Sequence, residues 1–351
     1  MKDSQLQKKK KRLFKKSKET PKKLKEKAVS APKVSSSKYS FFKKVNERES
    51  ILLFFLIPFI LIIIYFTLFY LNNHLSKSIQ LNKLTNSQSL KMQPFPVVDM
   101  AYVPYLSAKA AVVLDVDSGS IVFSKNPNLR FSMASTTKIM TALVALEAYE
   151  LRSVLTVKSR GIPGSTMGLS VGEKLIFEDL LFAMLLPSAN DAAVAIVDNY
   201  PGGKTAFIKK MNDKAKSLHL DNTLFSDPTG LDDDGNFTTV NDLAVLGAFA
   251  MENKKISEVV GTTQKSIANQ NNSKQYSLVN LNRLLGTNGV NGIKTGTTEG
   301  AGEVLVTSAI QKGHKFIIVV MNSQDRFSDT RALLSFVSQN VRHEEIKYTE
   351  R

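Results

Sequence analysis

The sequence contains no cysteine, and this absence excludes several kinds of chemistry at once. Without a thiol the chain can form no disulfide, no thiolate nucleophile and no cysteine-ligated zinc site. Histidine is also scarce, and no histidine has the spacing of a zinc motif such as His-Glu-x-x-His. The sequence therefore predicts no metal and no cofactor. The four histidines are His74, His219, His314 and His343.

Acidic residues are few relative to basic ones, and the imbalance lies at one end of the chain. Residues 1–50 contain 18 Lys and Arg but only 5 Asp and Glu, and so carry +13 of the formal net charge of +16. The excess therefore belongs to a tail and not to a nucleic-acid-binding face, and no nucleic acid partner is expected. The tail is also poor in apolar residues, which predicts that it is disordered.

An uncharged apolar run, ILLFFLIPFILIIIYFTLFYL, occupies residues 51–71. A helix of roughly 20 apolar residues crosses the hydrocarbon core of a bilayer, and Pro58 is tolerated in such a helix. The run is longer than the core of a cleaved signal peptide, which has about 7–15 apolar residues. Lys43, Lys44 and Arg48 precede it. The positive-inside rule then predicts a single-pass anchor in the cell membrane, a cytoplasmic N-terminus and an extracytoplasmic domain. The alternative is a buried core helix.

The remaining chain divides by composition. Residues 72–100 are polar and contain Pro94 and Pro96, which indicates a stalk between the bilayer and a domain. A folded domain is predicted at 101–345, and residues 346–351 are a short tail.

Hydrophobic patterns within 101–345 predict an α+β fold. Strands occur at both ends of this domain and helices lie between them, which indicates one antiparallel sheet flanked by helices, with a mostly helical subdomain. The predicted strands are Ala110–Asp117, Ile121–Ser124, Gly292–Lys294, Glu303–Ile310 and Lys315–Met321. The predicted helices are Ser135–Leu151, Glu178–Leu186, Asp191–Val197, Lys204–Leu218 and Asp329–Val341.

A candidate nucleophile occurs at the start of the first predicted helix, in the motif Ser135-Thr136-Thr137-Lys138. Residues i and i+3 share a helix face, so Ser135 and Lys138 can touch. A serine hydroxyl needs an adjacent base, and a lysine can be that base if burial or a nearby cation lowers its pKa. Lys294 is the candidate cation. The backbone N–H of Ser135, at a helix N-terminus, can face a developing oxyanion.

Two further motifs follow, Ser188-Ala189-Asn190 and Lys294-Thr295-Gly296. The second, on a predicted edge strand, offers a cation and a hydroxyl to a substrate carboxylate. Gly296 would leave room for the substrate backbone to pair with the strand. Ser188 and Asn190 could instead cap the helix that begins at Asp191.

Such short motifs also arise by chance. Three other Ser-x-x-Lys matches lie in the basic tail, at Ser30–Lys33, Ser35–Lys38 and Ser40–Lys43. They have no predicted fold around them. The order of the three motifs, and the predicted element beneath each, favour Ser135 and Lys138.

Over residues 105–340 the sequence resembles the low-molecular-mass penicillin-binding proteins that are serine-type D-alanyl-D-alanine carboxypeptidases. The matching segments are MASTTKIMTALVALE at Met133–Glu147, GSTMGLSVGEKLIFEDLLFAMLLPSANDAA at Gly164–Ala193, FSDPTGLDD at Phe225–Asp233 and VNGIKTGTTEGAG at Val290–Gly302. The resemblance implies a penicillin-recognising serine transferase fold, similar to β-lactamases, and an acyl-enzyme route. It implies peptidoglycan stem peptides as substrate and β-lactams as inhibitors.

The same resemblance implies roles for individual residues. Ser135 would attack the carbonyl between two D-alanines and Lys138 would accept its proton. Ser188 would relay a proton to the leaving D-alanine, and Asn190 would hold the substrate amide and Lys138.

The third motif would bind the other end of the substrate. Lys294 and Thr295 would bind the terminal carboxylate, and the N–H groups of Ser135 and Thr297 would form the oxyanion hole. Many relatives carry a larger residue at the position of Thr297, so the resemblance does not define the shape of this subsite.

Other residues receive structural interpretations. Asp227-Pro228-Thr229-Gly230 is typical of a turn. Arg326 and Arg331 could reach a carboxylate, although surface ion pairing is the default expectation.

Three other functions remain open at this level. A D,D-endopeptidase acting on wall cross-links would use the same residues. A β-lactamase of this fold would use a Glu-activated water, but no family-like loop with such a Glu lies between Asn190 and Lys294. A non-catalytic wall-binding protein is the alternative outside the enzymes.

Overall fold

The structure is a computed structural model that describes residues 56, 59–72, 94–99, 102–231 and 235–345. The chain divides into two compact units, residues 1–89 and 90–351. The predicted tail 1–50, most of the predicted stalk and the predicted C-terminal tail 346–351 lie outside the described residues.

The N-terminal unit contains a described helical segment at residues 59–72, whose side chains are exposed. The predicted membrane span 51–71 overlaps this helix, while its residues 51–55, 57 and 58 lie outside the described part of the chain. Among the described residues, no helix combines the length and the apolar character needed to cross a membrane.

Thirteen strands lie in the described part of the C-terminal unit. In chain order they are β1 Phe95–Val98, β2 Ala110–Asp115, β3 Ile121–Lys125, β4 Phe131–Ser132, β5 Val154–Thr156, β6 Lys174–Ile176, β7 Phe237–Thr238, β8 Gln264–Ala268, β9 Gln275–Val279, β10 Val290–Thr298, β11 Gly302–Gln311, β12 His314–Ser323 and β13 Val341–Glu344.

A five-stranded antiparallel sheet lies at the centre, in the order β10-β11-β12-β2-β3. Two of its strands come from the start of the domain and three from the end, which confirms the predicted α+β architecture. β10 is an edge strand, also as predicted. The remaining strands form two-stranded ribbons, β1-β13, β4-β7, β5-β6 and β8-β9.

Seven α-helices lie in the described part of this unit. They are α1 Lys138–Ala148, α2 Phe177–Leu185, α3 Asn190–Asp198, α4 Gly203–Ser217, α5 Val240–Glu252, α6 Lys254–Val260 and α7 Arg326–Asn340. A short 3-10 helix, Ala134–Thr137, leads into α1. The predicted helix at 135–151 is therefore two elements, and the nucleophile candidate lies in the 3-10 part.

Both faces of the sheet are covered, because α5 packs on one face and α7 on the other. Successive strand residues point to opposite faces. Val112 and Val319 belong to the core that contains α5, while Val113 and Ile318 belong to the core that contains α7. Strands buried on both faces are near-continuous apolar runs, which is why the sequence indicated them.

Two regions differ from the sequence-based expectation. Residues 95–98, within the predicted stalk 72–100, form β1 and pair with β13, so the folded unit begins before residue 101. Residues 240–279, which the sequence left unassigned, form α5, α6 and the β8-β9 hairpin.

Candidate active site

Ser135 and Lys138 are in contact at the junction between the 3-10 helix and α1. Lys138 Nζ lies 2.8 Å from Ser135 Oγ and donates to the carbonyl oxygen of Thr229 at 2.7 Å. The lysine side chain is fully buried. The predicted nucleophile and base are therefore within hydrogen-bond distance, as general-base activation requires.

Burial lowers the pKa of both lysines of the site, Lys138 and Lys294. It lowers the pKa of Lys138 to about 7, and the negative charge of Asp227 opposes this change. Burial also holds the pKa of Lys294 well below its usual range, and the positive charges of Lys138 and Arg326 lower it further. Because its pKa is close to neutral pH, Lys138 can accept the Ser135 proton there.

The predicted turn at Asp227–Gly230 positions the Thr229 carbonyl. The Asp227 carboxylate accepts hydrogen bonds from the N–H of Thr229, the hydroxyl of Thr229 and the N–H of Gly230, each at 2.7 Å. Thr141 Oγ1 donates to the carbonyl of Pro228 at 2.6 Å, which ties the turn to α1.

Gly230 explains why the turn lies so close to the nucleophile. It has a φ of +85°, and a Cβ there would lie 1.8 Å from the carbonyl oxygen of Ala134. Sequence reasoning recognised the turn from its Pro and Gly, but it missed the contact between Thr229 and Lys138.

Ser188 and Asn190 flank the N-terminus of α3 without capping it. Its N-cap is Ala189, and no described side chain makes a cap hydrogen bond there. The capping interpretation is therefore wrong. Asn190 Nδ2 donates to the carbonyl of Pro163 at 2.8 Å, and no hydrogen bond between Asn190 and Lys138 is found among the described residues.

Two polar atoms of this motif are buried without a partner in the described structure. They are Ser188 Oγ and Asn190 Oδ1. Ser188 also has a φ of +64°, an uncommon conformation for a residue with a side chain. Buried polar atoms are usually paired, so this pair of atoms is suited to a substrate group.

The motif Lys294-Thr295-Gly296 lies on β10, against the 3-10 helix. A Cβ on Gly296 would lie 3.0 Å from Ala134 Cβ and 3.1 Å from Ser135 N. The lack of a side chain at Gly296 therefore lets β10 approach the nucleophile. That Gly296 also leaves room for the substrate backbone to pair with β10 stays a prediction.

Arg326, the first residue of α7, also contacts β10. Its Nη1 donates to the carbonyl of Gly296 at 2.7 Å and to Thr297 Oγ1. Burial lowers the pKa of its guanidinium. Surface ion pairing, the default expectation for this arginine, is wrong. Arg331 instead donates to the Ser328 hydroxyl in an exposed position, so only Arg326 lies beside the predicted carboxylate site.

A second serine has the spacing of a nucleophile elbow, in Gly168-Leu169-Ser170-Val171-Gly172. Such elbows connect a strand directly to a helix. Within the fully described stretch 102–231, this segment is an exposed loop that leads into β6, and Ser170 N–H donates to Glu173. Ser170 therefore lacks the context of a nucleophile.

Comparison with known proteins gives consistent matches over this domain. The sequence model of peptidase family S11, described as D-alanyl-D-alanine carboxypeptidase, matches residues 98–325. The D-alanyl-D-alanine carboxypeptidase DacF of Bacillus subtilis is 36% identical over 222 residues, which cover 61% of this chain and 57% of the relative. The D-alanyl-D-alanine endopeptidase of Pseudomonas aeruginosa is 30% identical over 251 residues, covering 70% of this chain and 81% of the relative.

A solved structure has the same fold. The crystal structure of the Streptomyces K15 DD-transpeptidase is similar with a TM-score of 0.63 and 29% identity, covering 67% of this chain and 98% of that one.

Proposed function

The chain belongs to the D-alanyl-D-alanine carboxypeptidase family of serine peptidases, and from this we propose that it removes the terminal D-alanine of peptidoglycan stem peptides. The observation that carries the proposal is the 2.8 Å contact between Ser135 Oγ and Lys138 Nζ, a buried amine whose pKa is about 7. A buried lysine that loses its proton near neutral pH can serve as the adjacent base that a serine nucleophile requires.

The proposed reaction proceeds through an acyl-enzyme. Ser135 attacks the carbonyl between the two D-alanines as Lys138 takes its proton, and the N–H groups of Ser135 and Thr297 stabilise the oxyanion. The C–N bond then breaks, and the proton passes from Lys138 through the Ser188 hydroxyl to the leaving amine. Water attacks the ester, and the Ser135 hydroxyl is restored.

The terminal carboxylate of the substrate is proposed to bind at β10. Lys294 and Thr295 are both buried there, and the guanidinium of Arg326 lies against Gly296 and Thr297. The charged guanidinium of Arg326, placed beside an amine and hydroxyls at one strand, favours an anionic group. We therefore expect a preference for a substrate that ends in a free carboxylate.

The test is release of D-alanine from a peptide ending in D-Ala-D-Ala, together with labelling by a fluorescent penicillin. We expect both with the wild-type protein and with Ser170→Ala, and neither with Ser135→Ala. Equal release of D-alanine by Ser135→Ala would overturn the proposal. So would a wild-type protein that neither releases D-alanine nor is labelled by penicillin, which is the behaviour of a non-catalytic wall-binding protein.

A second candidate activity is endopeptidase cleavage of wall cross-links. It is favoured by the Pseudomonas aeruginosa relative, which is named an endopeptidase and is covered over 81% of its length. Digestion of intact sacculi, scored for loss of cross-linked dimers, separates the two activities.

A β-lactamase of this fold is tested by the lifetime of the penicillin adduct. A penicillin adduct on Ser135 that persists for many turnover times excludes a β-lactamase.

We further propose that residues 51–71 anchor the protein in the cell membrane with the N-terminus in the cytoplasm. The uncharged run of 21 residues and the preceding Lys43, Lys44 and Arg48 support this orientation. The peptidase domain would then face the cell wall, where its substrate lies.

A further inference from the structure

Three side chains far apart in the sequence meet at one end of the central sheet. Asp115 is the last residue of β2, His314 is the first residue of β12, and His343 lies on β13. One nitrogen of each imidazole and one oxygen of the Asp115 carboxylate lie within 4.8 Å of one another. About 200 residues separate the aspartate from the histidines, so no spacing motif marks this cluster.

The cluster is closely packed and largely withdrawn from solvent. His343 Nε2 lies 2.7 Å from Asp115 Oδ2, and the His343 side chain is 8% exposed. The rings of His314 and His343 stack with their centroids 3.3 Å apart and their planes 7° apart. Ser118 donates to Asp115 Oδ1 from its N–H at 2.8 Å and from its hydroxyl at 2.7 Å. These two bonds fix the carboxylate and leave Oδ2 for the histidines.

We propose that Asp115, His314 and His343 bind a divalent transition-metal ion of the Zn²⁺ type. Two imidazoles and one carboxylate are a ligand set that Zn²⁺ accepts, with water at the fourth position. Tetrahedral ligands at about 2.0–2.1 Å from zinc lie about 3.4 Å apart, so the ligand atoms need to move by about an ångström. The two stacked rings also need to tilt apart, because each imidazole binds an ion through a lone pair that lies in its own ring plane.

A second carboxylate supports this assignment. Asp117 Oδ2 lies 3.7 Å from His314 Nδ1. Histidine ligands usually present their other ring nitrogen to a carboxylate or carbonyl, which fixes the ring orientation. At 3.7 Å the two atoms are beyond hydrogen-bond distance, but a small movement of either side chain would let Asp117 hold Nδ1 and leave Nε2 of His314 for the ion.

The ion would have a structural role. His314 begins β12, whereas Thr295 of the active site pairs with Leu305, whose partner Val320 lies near the other end of β12. The cluster is therefore remote from Ser135 along the sheet. Because His343 lies on β13, a bound ion would tie the β1-β13 ribbon to β2 and β12.

The experiment uses the full chain in detergent after treatment with a chelator. Zn²⁺ binding is measured by calorimetric titration, and Co²⁺ binding by visible absorption. We expect one Zn²⁺ per chain for the wild type and for the control His219→Asn, and at least about tenfold weaker binding for His314→Gln and His343→Gln. Zn²⁺ should raise the melting temperature of the wild type and leave that of His314→Gln unchanged.

Penicillin labelling at Ser135 shows whether each variant is folded, because the cluster is distant from that site. If the more buried His343→Gln fails to fold, His314→Gln decides, since the His314 side chain is 23% exposed. The proposal is overturned if the wild type binds no Zn²⁺ at millimolar concentration, or if folded His314→Gln binds it as the wild type does.

Discussion

Two buried lysines, Lys138 and Lys294, determine how the site responds to pH. Burial favours the neutral form of each, and the charge of Lys138 lowers the pKa of Lys294 further. An unfolded chain returns Lys138 to its ordinary value of about 10.4. The unfolded state therefore holds more protons than the folded state between pH 7 and 10, so this group makes the fold more stable as the pH rises through that interval.

The acylation rate should follow the protonation of Lys138. Below pH 7 the amine is protonated and cannot accept the Ser135 proton, so the second-order rate constant for penicillin labelling should fall about tenfold per pH unit. Lys138→Arg should lower the rate at pH 8 by about 10²–10⁴-fold, and the exposed Lys109→Arg should not change it. A rate that is flat from pH 5 to 8 would contradict the role of Lys138.

We expect both the stability of the fold and the acylation of Ser135 to require a residue without a side chain at position 296. The Cβ of Gly296→Ala would lie 3.0–3.1 Å from Ala134 Cβ and Ser135 N, so β10 or the nucleophile must shift. We expect a loss of about 1–3 kcal/mol in the free energy of unfolding and at least a tenfold slower penicillin acylation.

Gly119→Ala is the matched control for Gly296→Ala. Gly119 has a φ of +71° and no atom within 4 Å of the added Cβ, so alanine there is strained without a clash. It should lower stability while leaving acylation unchanged. Equal acylation by both variants would show that the close approach of β10 is not needed.

At the scale of elements, the turn Asp227–Gly230 contacts the base and influences its pKa. Its Thr229 carbonyl accepts from Lys138, and its Asp227 charge raises the Lys138 pKa. Asp227→Asn removes the charge and keeps the side-chain shape. The Lys138 pKa should then fall, and the acid limb of the acylation profile should move to lower pH. The exposed Asp221→Asn should leave the limb in place, whereas movement of the Asp227→Asn limb to higher pH would refute this account.

Elements with continuous or periodic apolar residues could be predicted from the sequence. Sequence patterns indicated the bounds of the five central strands and of α1 to α4 within a few residues. Burial of one or both faces of each element dictates the spacing of its apolar residues. Helix α5 was missed, although Thr239 caps it by accepting from the Asp242 N–H and therefore gave a local signal.

The site was predictable only where its residues share a short motif. Ser135 and Lys138 are one helical turn apart, so their contact follows from local geometry. Thr229 lies 91 residues from Lys138, and Arg326 lies 30 residues from Gly296. Such contacts depend on how separate elements pack against one another, which no local pattern encodes.

At the scale of the whole molecule, the sheet joins the first and last parts of the domain. Asp329 on α7 strengthens this junction, since its carboxylate accepts from Ser107 N–H at 2.9 Å, Ala108 N–H at 2.7 Å and Ser323 Oγ at 2.6 Å. These bonds connect the segment before β2, the end of β12 and α7. The buried carboxylate of Asp329 therefore links three segments of the domain through hydrogen bonds.

Removal of this carboxylate should weaken the domain. Asp329→Ala leaves several buried donors without a partner, and we expect the free energy of unfolding in urea to fall by about 2–4 kcal/mol. Asp213→Ala, at an exposed position on α4, should change it by less than about 0.5 kcal/mol. A change at Asp329 as small as that at Asp213 would show that the network does not contribute.

The proposed membrane orientation can be tested sharply because the chain contains no cysteine. Single cysteines placed by Ser17→Cys in the tail and by Ser266→Cys on the exposed face of β8 report their own compartments. A membrane-impermeant maleimide is applied to intact cells, or to spheroplasts if the cells have an outer membrane that excludes the reagent. It should label Ser266→Cys and should not label Ser17→Cys. After permeabilisation both should be labelled, since the basic residues before 51–71 favour the cytoplasmic side. Labelling of Ser17→Cys before permeabilisation would reverse the orientation, and recovery of the protein in the soluble fraction would contradict the anchor itself.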